Sequence, residues 1–272
     1  MTTEQAMAAA AYYTKDTLDV DRWFRVADAD YQALLGALDL PGLFADRTGS
    51  LRLLDVGCGT GRFPVLLRPH LQPFPLTIDY DTLDPSEYCL QQIREVLQTP
   101  YRAGQGHACG AEDLADLPSA HYDIVWAIHS LYYVSPSAIG QVIRHLRRLL
   151  VPAHGTGLAY IATDDSFYLQ VLRAYRACFA TPIQPLRTAQ EWADGFHAAS
   201  GPWRQQTLRF IHEVPVDDEA LLQSYLHKCV LDASQPLSQW WQHARLHQLI
   251  DGYRDGDLYR FPQQVTLFQF GA

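Results

Sequence analysis

The sequence predicts an α/β fold, a mostly parallel sheet with helices on both faces and helical lid elements. Two observations carry this. Between residues 51 and 162, strand-like apolar runs alternate with helical patterns at a steady pitch. The run Tyr122-Asp-Ile-Val-Trp-Ala-Ile128 is apolar almost throughout, as in a strand covered on both faces.

Taken in order, Tyr31 to Leu38 has apolar residues at helical spacing and stops near Pro41-Gly42. Leu51 to Val56 is a strand that ends at Gly57-Cys-Gly-Thr-Gly61. A helix over Arg62 to Leu71 follows, with Pro64 in its first turn, where a missing N–H is harmless. Leu76 to Leu83 is a second strand, and Ser86 to Leu97 a helix. The strand at 122–128 precedes an amphipathic helix over Ala138 to Leu150, with Ile139, Val142, Ile143, Leu146 and Leu149 inward. Gly157 to Ala162 is a further strand. Beyond 163 the alternation loosens: helices near 165–179 and 218–231 surround a strand near Thr207–Val214. Val265 to Phe270 alternates with period two as a terminal strand.

No Pro/Gly/Ser linker separates domains. The 272 residues therefore read as one decorated domain: an N-terminal helical cover (1–45), a core (46–163) and C-terminal strands with helical inserts (164–272). With a net charge of −9, the chain is a poor general binder of nucleic acid or of an anionic membrane. The stretch Ile124–Ile143 lacks Asp, Glu, Lys and Arg, but its Ser-Pro-Ser turn rules it out as a membrane span. Five scattered cysteines without a CxxC, and no signal-peptide pattern, make a reduced, cytoplasmic protein the expectation.

The strongest local signal is Leu53-Leu-Asp-Val-Gly-Cys-Gly-Thr-Gly61: a buried strand, a tight glycine turn, then a helix. Glycines permit positive φ and close ligand approach, and helix-start N–H groups bind polar ligand atoms. With Asp55 two positions before the first glycine, this resembles motif I of the S-adenosylmethionine (SAM)-dependent methyltransferases. That resemblance implies a Rossmann-like seven-stranded sheet and SAM as cofactor, with Asp55, Gly57, Gly59 and Gly61 at its methionine end. Asp84, in Leu83-Asp-Pro-Ser86, is placed to hold the ribose hydroxyls. The same residues fit a capping box with Asp84 as N-cap, Pro85 at N1 and Glu87 at N3. Glu112 and Asp113 fall in the segment that flanks adenine in these enzymes, although Gly110 stands where many members have Asp or Asn.

Ile128-His-Ser-Leu-Tyr-Tyr-Val134 resembles the strand exit of the histamine N-methyltransferases. Leu221 to Cys229 and Phe261 to Phe268 resemble their late helix and C-terminal strand entry. The resemblance implies Ile128 beside the cofactor, and Tyr132, Tyr133, Gln263 and Gln264 around the acceptor. His129 is the candidate catalytic base, since a histidine titrates near neutral pH. Asp28 and Asp30 are candidates for that family's acidic pocket residue. The expected function is methyl transfer from SAM to a small-molecule acceptor at nitrogen. O-methylation of a phenol or carboxyl group is the alternative, and a SAM-binding protein that does not methylate is a second. His243, His247 and Asp251 have metal-ligand spacing but fit a solvated face better, so no metal is expected. Arg144, Arg147 and Arg148 read as a solvated face too.

Overall fold

The computed structural model describes residues 7–8, 10–14, 20–44 and 49–272. Eight strands form one sheet: β1 (Gly49–Val56), β2 (Leu76–Leu83), β3 (Tyr101–His107), β4 (Ile124–Ile128), β5 (Thr156–Ala162), β6 (Trp203–Pro215), β7 (Arg254–Asp255) and β8 (Leu258–Phe270). The order is β3-β2-β1-β4-β5-β8-β6, with β7 paired to β8. The first five strands run parallel, while β8 lies antiparallel to β5, β6 and β7. This is the mostly parallel Rossmann-like sheet that the alternation and motif I imply, with two-residue β7 as an addition.

The longer helices among the described residues are α1 (Val20–Ala37), α2 (Arg62–Leu67), α3 (Glu87–Val96), α4 (Ile139–Leu149), α5 (Phe167–Arg176), α6 (Ala189–Ala198), α7 (Glu219–Val230) and α8 (Ala244–Asp251). On α4, the five residues read as inward are all buried. One apolar cluster unites both faces of the sheet. A second joins α5, α7 and α8 to the start of β8, where Phe261, Phe167 and Tyr225 stack on one another. No helix among the described residues is long and apolar enough to cross a membrane. The five cysteines form no disulfide.

The sequence pattern does not reveal β3. It is an edge strand whose Arg102 to Gly106 are all exposed, and Arg-Ala-Gly-Gln-Gly carries no apolar alternation. β6 and β8 run well beyond their predicted cores, in register along 13 pairs. The exposed Pro262 interrupts the alternation without breaking the pairing.

The capping expectation at α3 needs correction. The N-cap is Ser86, whose side chain accepts from Cys89 N–H; Asp84 lies two residues earlier and accepts from Ser86 N–H at 2.8 Å. The arginine face of α4 needs correction also. Arg147 is buried, donating to the carbonyls of Gly271 and Pro202, and Arg148 donates to Ser119 and to the Leu114 and Ala115 carbonyls.

Between β1 and β4 the strand order reverses, so the helices after their carboxyl ends diverge and leave a crevice. All the chemistry described below lies at that crevice.

Candidate active site

The glycine turn leaves β1 with Gly57, Gly59 and Gly61 at φ of 71°, 53° and 85°. Gly57 and Cys58 N–H both donate to the Leu83 carbonyl, pinning the turn to the end of β2. The three glycines serve different ends. A Cβ on Gly57 would lie 2.2 Å from that of Ser130, and one on Gly61 would run into Ile93 and Val96 of α3. At Gly59 a Cβ would meet nothing within 4 Å. Gly59 therefore faces open space, while Gly61 lets α3 approach and lines neither cavity described here.

Two carboxylates flank the turn. Asp84 is buried, with one oxygen accepting from Ser86 N–H and the other from Gly59 N–H at 3.0 Å. Burial pushes its pKa up to about 6, with those two backbone bonds opposing the shift. Asp55, at the end of β1, accepts from the Tyr80 hydroxyl at 2.6 Å. Burial raises its pKa to about 7, and the Tyr80 bond offsets part of this.

Two cavities meet at the turn and share Tyr13, Gly57, Gly59, His129 and Tyr133. The smaller, about 700 Å³ counting its open mouth, lies between Asp84, Gly110 and Glu112. Glu112 accepts from Ser135 N–H at 2.6 Å, while Asp113 turns back to Gly110 N–H and lines neither cavity. The larger holds about 1080 Å³ of space. Ile128 and Tyr132 line it, with an aromatic wall of Trp23, Phe24, Tyr31 and Tyr168.

His129 stands where they join. It has φ of 53°, a left-handed conformation that costs about 1–2 kcal/mol in a residue with a Cβ. Its N–H is held by the Tyr160 carbonyl at 2.9 Å. The ring Nδ1 is 2.6 Å from the Tyr132 hydroxyl, which also accepts from Ala162 N–H. The Nε2 lies 2.7 Å from Asp30 Oδ2 but makes no in-line hydrogen bond. Asp30 is 1% exposed and accepts from the Tyr168 hydroxyl at 3.2 Å. Asp28, the other acidic candidate, is bound by the Arg62 guanidinium through both oxygens.

Gln263 and Gln264 do not reach either cavity. The Gln263 amide is consumed within the core, accepting from Ser166 Oγ and donating to the Tyr225 hydroxyl. The backbone of Gln264 pairs with Thr163 and Ser166. His243 packs on Phe179 and His247 on Trp241. Residues not singled out from the sequence also enter the site: Tyr13 and Lys228 line the larger cavity. A signal for Lys228 was available, since the chain contains two lysines, Lys15 and Lys228, against 19 arginines.

Residues 54–156, from the end of β1 to the start of β5, match the family described as "Methyltransferase domain". The chain carries a SAM-dependent methyltransferase domain. No curated protein matches the sequence. Among solved structures, the methyltransferase is similar to a mycolic acid cyclopropane synthase complexed with SAH and CTAB. The two share 15% identity with a TM-score of 0.58, over 98% of this chain and 99% of the other. A SAM-dependent methyltransferase from Thermotoga maritima, described as a possible histamine N-methyltransferase, aligns at 15% identity and a TM-score of 0.50. That alignment covers 92% of this chain and 93% of the other. The YcgJ protein from Bacillus subtilis aligns at 17% identity and a TM-score of 0.53, covering 83% and 93%. At these identities the likeness is one of fold.

The cofactor of the methyltransferase is SAM, and the residues present fit it. The space beyond Gly59 would be filled by any side chain there, and the buried Asp84 oxygens retain lone pairs for two vicinal hydroxyls. Gly110 and Glu112 bound the far end of the same cavity.

Proposed function

We propose that the methyltransferase acts on a nitrogen of a small-molecule acceptor bound in the larger cavity. The observation that carries this is the Asp30 carboxylate, 1% exposed, beside His129 Nε2 in a cavity walled by aromatic rings. A buried carboxylate attracts an ammonium, and ring faces add to that attraction. An amine arrives protonated and must lose a proton before its lone pair can attack. The group at the amine end is the His129–Asp30 pair, with Nδ1 of the ring held by the Tyr132 hydroxyl and Nε2 2.7 Å from Asp30 Oδ2, and this pair takes up that proton. Asp30 then faces the ring that has gained charge and stabilises it. SAM supplies a methyl group already activated by its sulfonium. The rest of the work is positioning and exclusion of water, which the aromatic wall provides. The acidic net charge and the aromatic-walled pocket support a small acceptor over a nucleic acid or a membrane.

Incubation with methyl-labelled SAM and panels of amines, phenols and carboxylic acids tests the reading. The expected product is an N-methyl compound, by mass and by resistance to alkaline hydrolysis. A base-labile methyl ester or an aryl methyl ether would overturn the choice of nitrogen. Tight SAM binding without transfer across all panels would overturn the enzymatic reading.

A further inference from the structure

Lys228, in the last turn of α7, lines the larger cavity. Its Nζ donates to the Tyr13 hydroxyl at 2.8 Å and lies 4.6 Å and 5.2 Å from the centroids of the Tyr13 and Trp23 rings. No carboxylate of the described residues lies within salt-bridge distance of it. The contrast with Arg62 in the same cavity is plain, since Arg62 is paired with Asp28. The negative groups of the site are engaged elsewhere: Asp30 with His129 and Tyr168, Asp55 with Tyr80, and Asp84 with the Gly59 and Ser86 N–H groups.

A hydroxyl and two ring faces attract an ammonium but do not neutralise it. Burial draws the Lys228 pKa down to about 8, and no carboxylate of the described residues pairs with its ammonium. SAM held at the glycine turn would bring its sulfonium, a second positive charge, to the same crevice. Residue type points the same way. In a chain that otherwise uses arginine almost throughout, a compact ammonium stands here, shaped for a point contact between two rings.

We propose that Lys228 is a carboxylate-recognition residue for the acceptor, so that the acceptor carries a carboxylate as well as the amine. Asp30 and His129 would take the amine end and Lys228 the carboxylate end. The preferred acceptor class is then an amino acid or a related zwitterion. This rests on the amine reading above, and the experiment separates the two.

Binding is measured by calorimetry on protein saturated with S-adenosylhomocysteine, using pairs that differ only in the carboxylate: phenylalanine and phenethylamine, tyrosine and tyramine, tryptophan and tryptamine. Wild type is expected to prefer the carboxylated member of at least one pair by tenfold or more. Lys228→Met should abolish that preference while binding the decarboxylated member as before, and Lys228→Arg should keep part of it. S-adenosylhomocysteine and 5′-methylthioadenosine, which lacks the carboxylate, are measured on the same variants. If Lys228→Met weakens the first and spares the second, the lysine serves the cofactor's carboxylate and the proposal falls. Equal binding of both members of every pair by wild type, or binding of none, overturns it too. If wild type does not bind S-adenosylhomocysteine at all, the methyltransferase reading itself has failed. Thermal melts of each variant separate loss of the contact from loss of the fold.

Discussion

At Asp84 each carboxylate oxygen already accepts one backbone N–H, from Ser86 or from Gly59. The bond from Gly59 ties the glycine turn to the end of β2, and the remaining lone pairs face the smaller cavity. One side chain thus fixes the turn and presents acceptors to the ribose. Asp84→Asn removes the charge and turns one acceptor into a donor facing a backbone N–H. Loss of such a charge-assisted bond is worth about 1.5–3 kcal/mol, so affinity for S-adenosylhomocysteine should fall tenfold or more. Calorimetry checks this, and unchanged affinity would remove Asp84 from the site. The sequence exposes Asp84 and the glycines because spacing along a strand–turn–helix is a local property. It hides the division of labour among the glycines, and it places Gln263 at the acceptor. Both depend on what packs opposite: Ile93 and Val96 against Gly61, and Ser166 and Tyr225 against Gln263.

At the scale of elements, legibility follows burial. β1, β2, β4 and β5 lie inside the sheet and read from their apolar runs, whereas β3 at the edge does not. The arginines of α4 show the same limit. Helical periodicity puts Arg147 outside the apolar stripe, yet the chain end folds over that side. Its guanidinium donates to the Gly271 and Pro202 carbonyls and lies 5.6 Å from the Phe270 ring. It thereby joins α4 to the end of β8 and to the residue preceding β6. Arg147→Met keeps the aliphatic stem but leaves both carbonyls without this donor. The expected cost is about 2 kcal/mol, a fall in Tm on the order of 5 °C for a chain of this size. Arg144→Met, at an exposed position of the same helix, should leave Tm unchanged. Equal melting of the two variants would show that Arg147 carries no structural load.

For the whole molecule, the crevice at the strand reversal concentrates carboxyl groups that burial has pushed upward, Asp84 to about 6 and Asp55 to about 7. In the unfolded chain both ionise near 3.8. A folded-state value above the unfolded one means that the stabilising contribution is complete below about pH 4. It is lost as pH rises through 6 and then 7, because the unfolded chain ionises first. Without ligand, these two groups therefore weigh against folding at neutral pH. Ligand reverses the preference at Asp84, since ribose hydroxyls donate to a carboxylate better than to a carboxylic acid. Binding should then release a proton in the window between about pH 4 and 6, and affinity should rise with pH across it. The rise in Tm produced by a fixed excess of S-adenosylhomocysteine should accordingly be larger at pH 7.5 than at pH 5. Asp84→Asn should flatten the profile, leaving only what Asp55 contributes. Calorimetry in two buffers of different ionisation enthalpy counts the released protons directly. A wild-type profile that is flat from pH 5 to 7.5, with no proton release, would show that the buried carboxyls do not sense the cofactor.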